Sequence, residues 1–294
     1  MRNESDAPKI TRTEVNPDQI KLFASEEQFV GLSVDLLIET GSWICLAANL
    51  FPADTRAWNR DQAVFGGHLV RLYKLISGML DQTCQGRREI AHILGRLAFE
   101  CIINLRFLIK HPTEEILRSY RAYSLKNSVR IKDLTTRQVK SRGGKMLPVE
   151  ERVLSWIAKS VEASGISLEE IISAKVKNWG GKNIYEKAEE LGLADAYIAA
   201  FGLASQSIHG NWQDLIEYHL DYDGTYFRPQ FDWHQPRPQY MNVIGVHAVQ
   251  ATVDYLRWLS GGEGELEERL KDVYDRVLLV DKLHEEFLAN AMRE

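Results

Sequence analysis

The chain has only three cysteines in 294 residues, Cys45, Cys84 and Cys101. Their spacings fit no zinc pattern and no C-x-x-C is present, which removes zinc-ribbon and thioredoxin-like readings. All three fall in helical, mostly apolar stretches and read as reduced, largely buried thiols of a reducing compartment. Basic excess is also missing: 36 Lys and Arg stand against 41 Asp and Glu, a net charge of −5. No global electrostatic signal for nucleic acid or a membrane surface follows, although a local patch could still bind either. No apolar run approaches the ~18–20 residues that span a bilayer. The first residues, MRNESDAPKITRTEV, lack the apolar core of a signal peptide. The expectation is a cytoplasmic protein without a membrane partner. No motif calls for a cofactor.

What is present is helix. Hydrophobic residues make up 45% of the chain and charged residues 26%, the ordinary globular range. Residues 1–15 read as a flexible arm. Asn16-Pro17-Asp18-Gln19 is a helix start, with asparagine as N-cap and proline at the first position. Helical spacing runs over 17–39 and is interrupted at Gly41. A second segment runs from Asp54-Thr55 toward Cys84, with a soft spot at Gly66-Gly67. The third, 87–110, is apolar on nearly every side, which predicts a central buried helix ending before Pro112. Thr113-Glu114-Glu115 caps the next.

A basic stretch from Arg130 to Lys145 holds six cations against Asp133. Its second half reads as a loop. It could track a phosphate backbone, or be a solvated surface. Further helices are expected at 148–163, 167–177, 183–191 and 194–209. Residues 221–240, rich in proline and aromatics, read as an ordered loop with a short hairpin as the alternative. Helices near 242–259 and 264–291 finish the chain, the last one charged and expected at the surface or at a homo-oligomer contact. No repeat is evident. The prediction is one all-α domain of about eight to ten helices over 16–260, followed by a charged C-terminal helix at 261–294.

Two polar stripes interrupt these apolar helices. Arg96, Glu100 and Asn104 are spaced by four inside LGRLAFECIINLRFLI, so they share one side of the helix. Ser205 and His209 are spaced by four in FGLASQSIHGNW. Polar groups in an apolar helix cost stability unless paired. Each stripe therefore forms either a structural network or a site. As a site, Arg96 binds an anion, Glu100 acts as acid or base, and Asn104 orients. His209 sits at a helix end whose dipole favours imidazolium, suiting a proton donor or a simple cap. No G-x-S-x-G elbow surrounds Ser205, so a serine nucleophile is disfavoured.

Two weaker patterns compete. Glu89-Ile90-Ala91-His92 is an E-x-x-H, the unit of helical di-iron sites, but its nearest counterpart, Asp281-Lys282-Leu283-His284, departs from it. No metal ligand is assigned. Arg87…His92 and Arg106…His111 match the R-x4–6-H of the all-helical HEPN ribonucleases, but the asparagine, aspartate or histidine that often follows the family's arginine is missing at both, Arg88 and Phe107 standing there.

The stripes together with Tyr120 and Tyr123 in SYRAYSL, and with Trp179-Gly180-Gly181-Lys182, make a longer pattern. Over residues 65–220 the chain resembles an uncharacterised all-helical bacterial family of unknown function. Similar helical families occur among defence and toxin-like proteins, some of them HEPN-like. The resemblance implies that these elements converge on one pocket, with Trp179 as a wall and Lys182 as a cation. The functional expectation is a polar, cationic pocket for an anionic small molecule or RNA. Glu100 and His209 are its candidate catalytic pair; Arg96, Asn104, Tyr123, Trp179, Lys182 and Ser205 are its candidate ligand contacts. A non-enzymatic scaffold is the competing class, and a di-metal protein the third.

Overall fold

The computed structural model describes residues 10–52, 55–174, 177–198, 200, 210–261 and 264–292. The described residues form twelve α-helices and one small hairpin in a single all-α domain, as the periodicity predicts. They are α1 (Pro17–Ile20), α2 (Glu26–Ala48), α3 (Arg60–Cys84), α4 (Arg88–Lys110), α5 (Glu114–Ser141), α6 (Pro148–Ser164), α7 (Leu168–Ser173), α8 (Ile184–Glu190), α9 (Ala194–Tyr197), α10 (Trp212–Asp214), α11 (Pro238–Ser260) and α12 (Glu265–Ala291). Three of them have four residues or fewer, leaving nine of substance. The hairpin pairs β1 (Leu220–Tyr222) with β2 (Phe227–Pro229), the alternative reading of the aromatic loop.

Local chemistry sets the helix starts. The Asn16 side chain accepts from the backbone of Asp18 and Gln19. Asn59 and Gln62 form a reciprocal capping box at α3, and Ser167 and Glu170 do so at α7. Thr113 caps α5 through Ile116. The first segment differs from expectation. It breaks after Ile20, and α2 runs unbroken through Gly41, which packs at ordinary distance from Ile76 of α3. By length and composition α2 could cross a membrane, contrary to the run-length reading. Here it packs on α3, α11 and α12, burying Phe29, Leu36, Leu37 and Ile44.

The main core lies among α2, α3, α4, α11 and α12. Helix α4 is its centre: Ala98, Phe99, Ile102, Ile103, Leu105 and Leu108 are fully buried. At Gly95 the ring of Tyr240 lies so close that any side chain would collide with it, and the Tyr240 hydroxyl donates to the His92 carbonyl at 2.9 Å. The C-terminal helix is not merely superficial. Leu270, Val273, Val277 and Val280 line the core, and Arg276 makes two 2.7 Å hydrogen bonds to buried Glu39 of α2. Thr13 joins the same carboxylate at 2.8 Å.

A second, smaller core of Ala122, Leu125, Val129, Ile166 and Ile171 joins α5 to α7, with Val161 of α6 beside it. Helix α5 also corrects an expectation. Only the end of the basic stretch is a loop: α5 continues to Ser141, with Val129 and Thr135 buried along it, and the irregular chain begins at Arg142. Of the cysteines, Cys101 is buried, Cys45 half-buried and Cys84 exposed; all are free thiols. Cys84 departs from the buried reading because it ends α3, where the core face has run out.

Candidate functional site

Helices α3, α4 and α5 and the turn at Trp179 enclose a cavity of about 680 Å³. Glu100 and Asn104 reach it from α4, one turn apart. From α5 come Tyr120, Tyr123, Lys126, Asn127 and Arg130, positions that 100° per residue gathers on one side. His68 and Arg71 arrive from α3, and Lys177 and Trp179 from the chain beyond α7. Three of the sequence patterns thus meet: the α4 stripe, the tyrosine helix and the tryptophan turn.

The turn is built by glycine. Gly180 has φ 63°, in the left-handed region, and its N–H donates to Ser119 Oγ of α5 at 3.2 Å. Trp179 is thereby fixed edge-on against Phe107 of α4 at 5.5 Å and Tyr120 of α5 at 5.2 Å.

The cavity wall is polarised. Among the described residues four cations, Arg71, Lys126, Arg130 and Lys177, face one carboxylate, Glu100. Among the described residues no carboxylate pairs with Arg71, Arg130 or Lys177. His68 adds no charge: burial, and secondarily Arg71, push its pKa down. Its Nδ1–H donates to the Val64 carbonyl at 2.7 Å, leaving Nε2 to accept from the Tyr120 hydroxyl at 3.4 Å. Burial raises the Tyr120 phenol, so it stays a donor. The Cys101 thiol donates to the His68 carbonyl at 3.2 Å, and burial pushes it up to about 12. It is no nucleophile at neutral pH.

Other expected residues lie elsewhere. Arg96 does not line this cavity; its charge acts on Tyr197 and Tyr240. Lys182 does not line it either, because Glu190 holds it in an ion pair. Ser205 and His209 lie outside the described residues. Both Arg…His pairs are placed away from the cavity. Arg87 lies over the Trp233 ring and His92 meets the Tyr218 hydroxyl at 3.4 Å. Arg106 bonds Asp254 at 2.7 Å, and His111 bonds Glu190. Among the described residues no group of three His, Cys, Asp or Glu side chains is placed to hold a metal ion.

Sequence reasoning missed His68, Arg71, Lys177 and Lys187. Lys187 is 2% exposed, its nitrogen 3.0 Å from the centroid of the Trp179 ring and 5.4 Å from that of Phe107. Burial pulls its pKa down to about 7, against the opposing pull of Glu100. In sequence it is one charge in IYEKAEE, without signal. Lys126 and Arg130 did carry a signal, a cation pair at i and i+4 beside Tyr123.

A second hollow of about 740 Å³ opens beside α11 and α12, but its arginines are already held, Arg106 by Asp254 and Arg257 by Glu267, and its further charges include Glu265 and Glu268. The first cavity is therefore the candidate site.

Residues 62–226, more than half of the chain, match the model of a family described as of unknown function, DUF5677. They include α4, α5, the tryptophan turn and nearly all of α3, and so every residue that lines the cavity. No curated protein and no solved structure matches the chain.

Proposed function

We propose that this chain, which belongs to the DUF5677 family of unknown function, binds a phosphate-bearing nucleotide unit, free or within RNA, in the cavity of α3, α4 and α5. One observation carries the reading: four cations and a single carboxylate surround a hollow walled by Tyr120, Tyr123 and Trp179. Cations neutralise phosphate, and aromatic faces accept a base. Arg71 and Arg130 take the phosphate, Tyr123 and Trp179 pack the base, and Asn104 orients it. Glu100, the only carboxylate among the described residues of the wall, is the acid–base group for any hydrolytic, ribonuclease-like chemistry. Neither Arg…His pair lies in the wall, so such chemistry proceeds without the HEPN pattern.

Titration calorimetry with a nucleoside monophosphate panel tests this. Binding that Arg71→Ala and Arg130→Ala each weaken about tenfold, with melting unchanged, supports it. No heat with any nucleotide or RNA sinks it. The scaffold reading is favoured by one feature, the Val64–His68–Tyr120 chain, which satisfies both imidazole nitrogens without a ligand. Under that reading Glu100→Gln shifts stability and nothing else.

A further inference from the structure

We propose that the occupant of the cavity is the terminal nucleotide of a single-stranded RNA, whose backbone leaves the cavity along the exposed edge of α5. This deepens the nucleotide-pocket reading and rests on it. Lys126 and Arg130 line the cavity, and Arg137 and Lys140 continue the same helix outward. At 100° per residue these four cations fall within an arc of about 80°, and at 1.5 Å per residue they extend over about 21 Å. Arg130, Arg137 and Lys140 are exposed, while Thr135 is buried on the opposite side of the helix and Leu125 and Val129 are buried along one flank of the arc. Asp133 is the one acid within the arc. A chain of net charge −5 thus concentrates positive charge on one edge, and that edge starts inside the candidate site.

This shape suits a single strand. The edge is one helix wide, and Tyr120, Tyr123 and Trp179 in the cavity wall offer faces that an unstacked base can use and a paired, stacked one cannot. Tyr123, 38% exposed at the mouth, is placed to stack the first base. Ser124, Asn127 and Asn104 set hydroxyl and amide groups among the cations, partners for a ribose 2′-hydroxyl that deoxyribose lacks. An acidic peptide would satisfy the cations and leave the aromatic wall unused.

The test is calorimetry on the whole protein with adenosine 5′-monophosphate, a mixed-sequence RNA decamer, the same decamer as DNA and as duplex RNA, and polyglutamate. The expected result is that the RNA decamer binds at least tenfold more tightly than the mononucleotide and than the other three polymers. Arg137→Ala with Lys140→Ala then weakens the decamer about tenfold and reduces its salt slope by one to two phosphates, while mononucleotide binding stays unchanged. Arg71→Ala weakens both. A mononucleotide that binds as tightly as the decamer overturns this proposal and leaves the pocket reading intact. So does a double variant with undiminished decamer affinity, or DNA, duplex or polyglutamate binding equal to RNA. Absence of binding by mononucleotide and decamer alike overturns both.

Discussion

Lys187 stacks its ammonium nitrogen 3.0 Å from the centre of the Trp179 ring, on the tryptophan that also walls the cavity. A buried ammonium is costly because it has lost its water, and neither the Trp179 face nor the charge of Glu100 fully offsets that loss. Replacing it with an apolar side chain of similar length removes that cost. Lys187→Met is therefore expected to stabilise the protein by roughly 1–3 kcal/mol at pH 6. The gain shrinks as pH rises: between about 7 and 10.5 the unfolded lysine holds a proton that the folded one has released, so wild-type stability climbs with pH. Urea melts at pH 6 and pH 9 read the difference. Equal gains at both pH values would show that the amine is not perturbed.

The Arg276–Glu39 pair is expected to behave oppositely. Burial works against the Glu39 carboxylate, but hydrogen bonds from Arg276 and Thr13 outweigh it and hold its pKa below the usual range. Its contribution is present above the unfolded value and is lost as pH falls through the folded one. Arg276→Met leaves a buried charge without its guanidinium and should cost about 3–5 kcal/mol at pH 7. A denaturation midpoint that does not move would refute that role.

Acid should begin to loosen the fold at about pH 6.5, where unfolded histidines start to bind protons. Burial, then the charges of Arg88 and Arg237, lower the His92 pKa to about 4. His68 and His247 are lowered too, burial being the largest cause in each. Unfolded histidines bind protons below about 6.5, and these do not, so stability is full above that pH and declines from 6.5 toward 4. His92→Gln is expected to flatten the decline by roughly 2–3 kcal/mol. A flat wild-type profile across the window would contradict the placement of all three rings.

Thiol chemistry separates the cysteines. Exposed Cys84 should react with an alkylating reagent in the native state, while Cys101 should stay unlabelled until the protein unfolds. Peptide mass mapping after a timed pulse decides it. Native labelling of Cys101 would mean that α3 and α4 part readily.

How far the sequence discloses this arrangement depends on whether a residue's role is local. Asn16, Thr113 and Ser167 cap helices through their immediate neighbours, so the starts of α1, α5 and α7 were readable. The apolar spacing around Phe99 and Leu105 likewise marked α4 as central. Glu100, Asn104, Tyr123 and Trp179 were legible as oddities within their own segments. His68 and Lys187 were not, because their environments are made by other helices: Tyr120 lies 52 residues from His68. The end of α5 was misread for the same reason. Its charges suggest a loop from the middle of the basic stretch, whereas packing against α6 and α7 carries the helix on to Ser141.

The two separate apolar clusters give the cavity a mechanical character. Glu100 and Asn104 stand on α4, seated in the larger core, whereas Lys126 and Arg130 stand on the stretch of α5 held by the smaller one. The smaller cluster can come apart without the larger, since cooperative units of a protein open at different free energies. Floor and wall then exchange their amide hydrogens at different rates, and whatever fills the space between them fastens the weaker unit to the stronger. An occupied cavity should thus be recognised by slowed deuterium uptake in α5 to α7, with α4 unaltered.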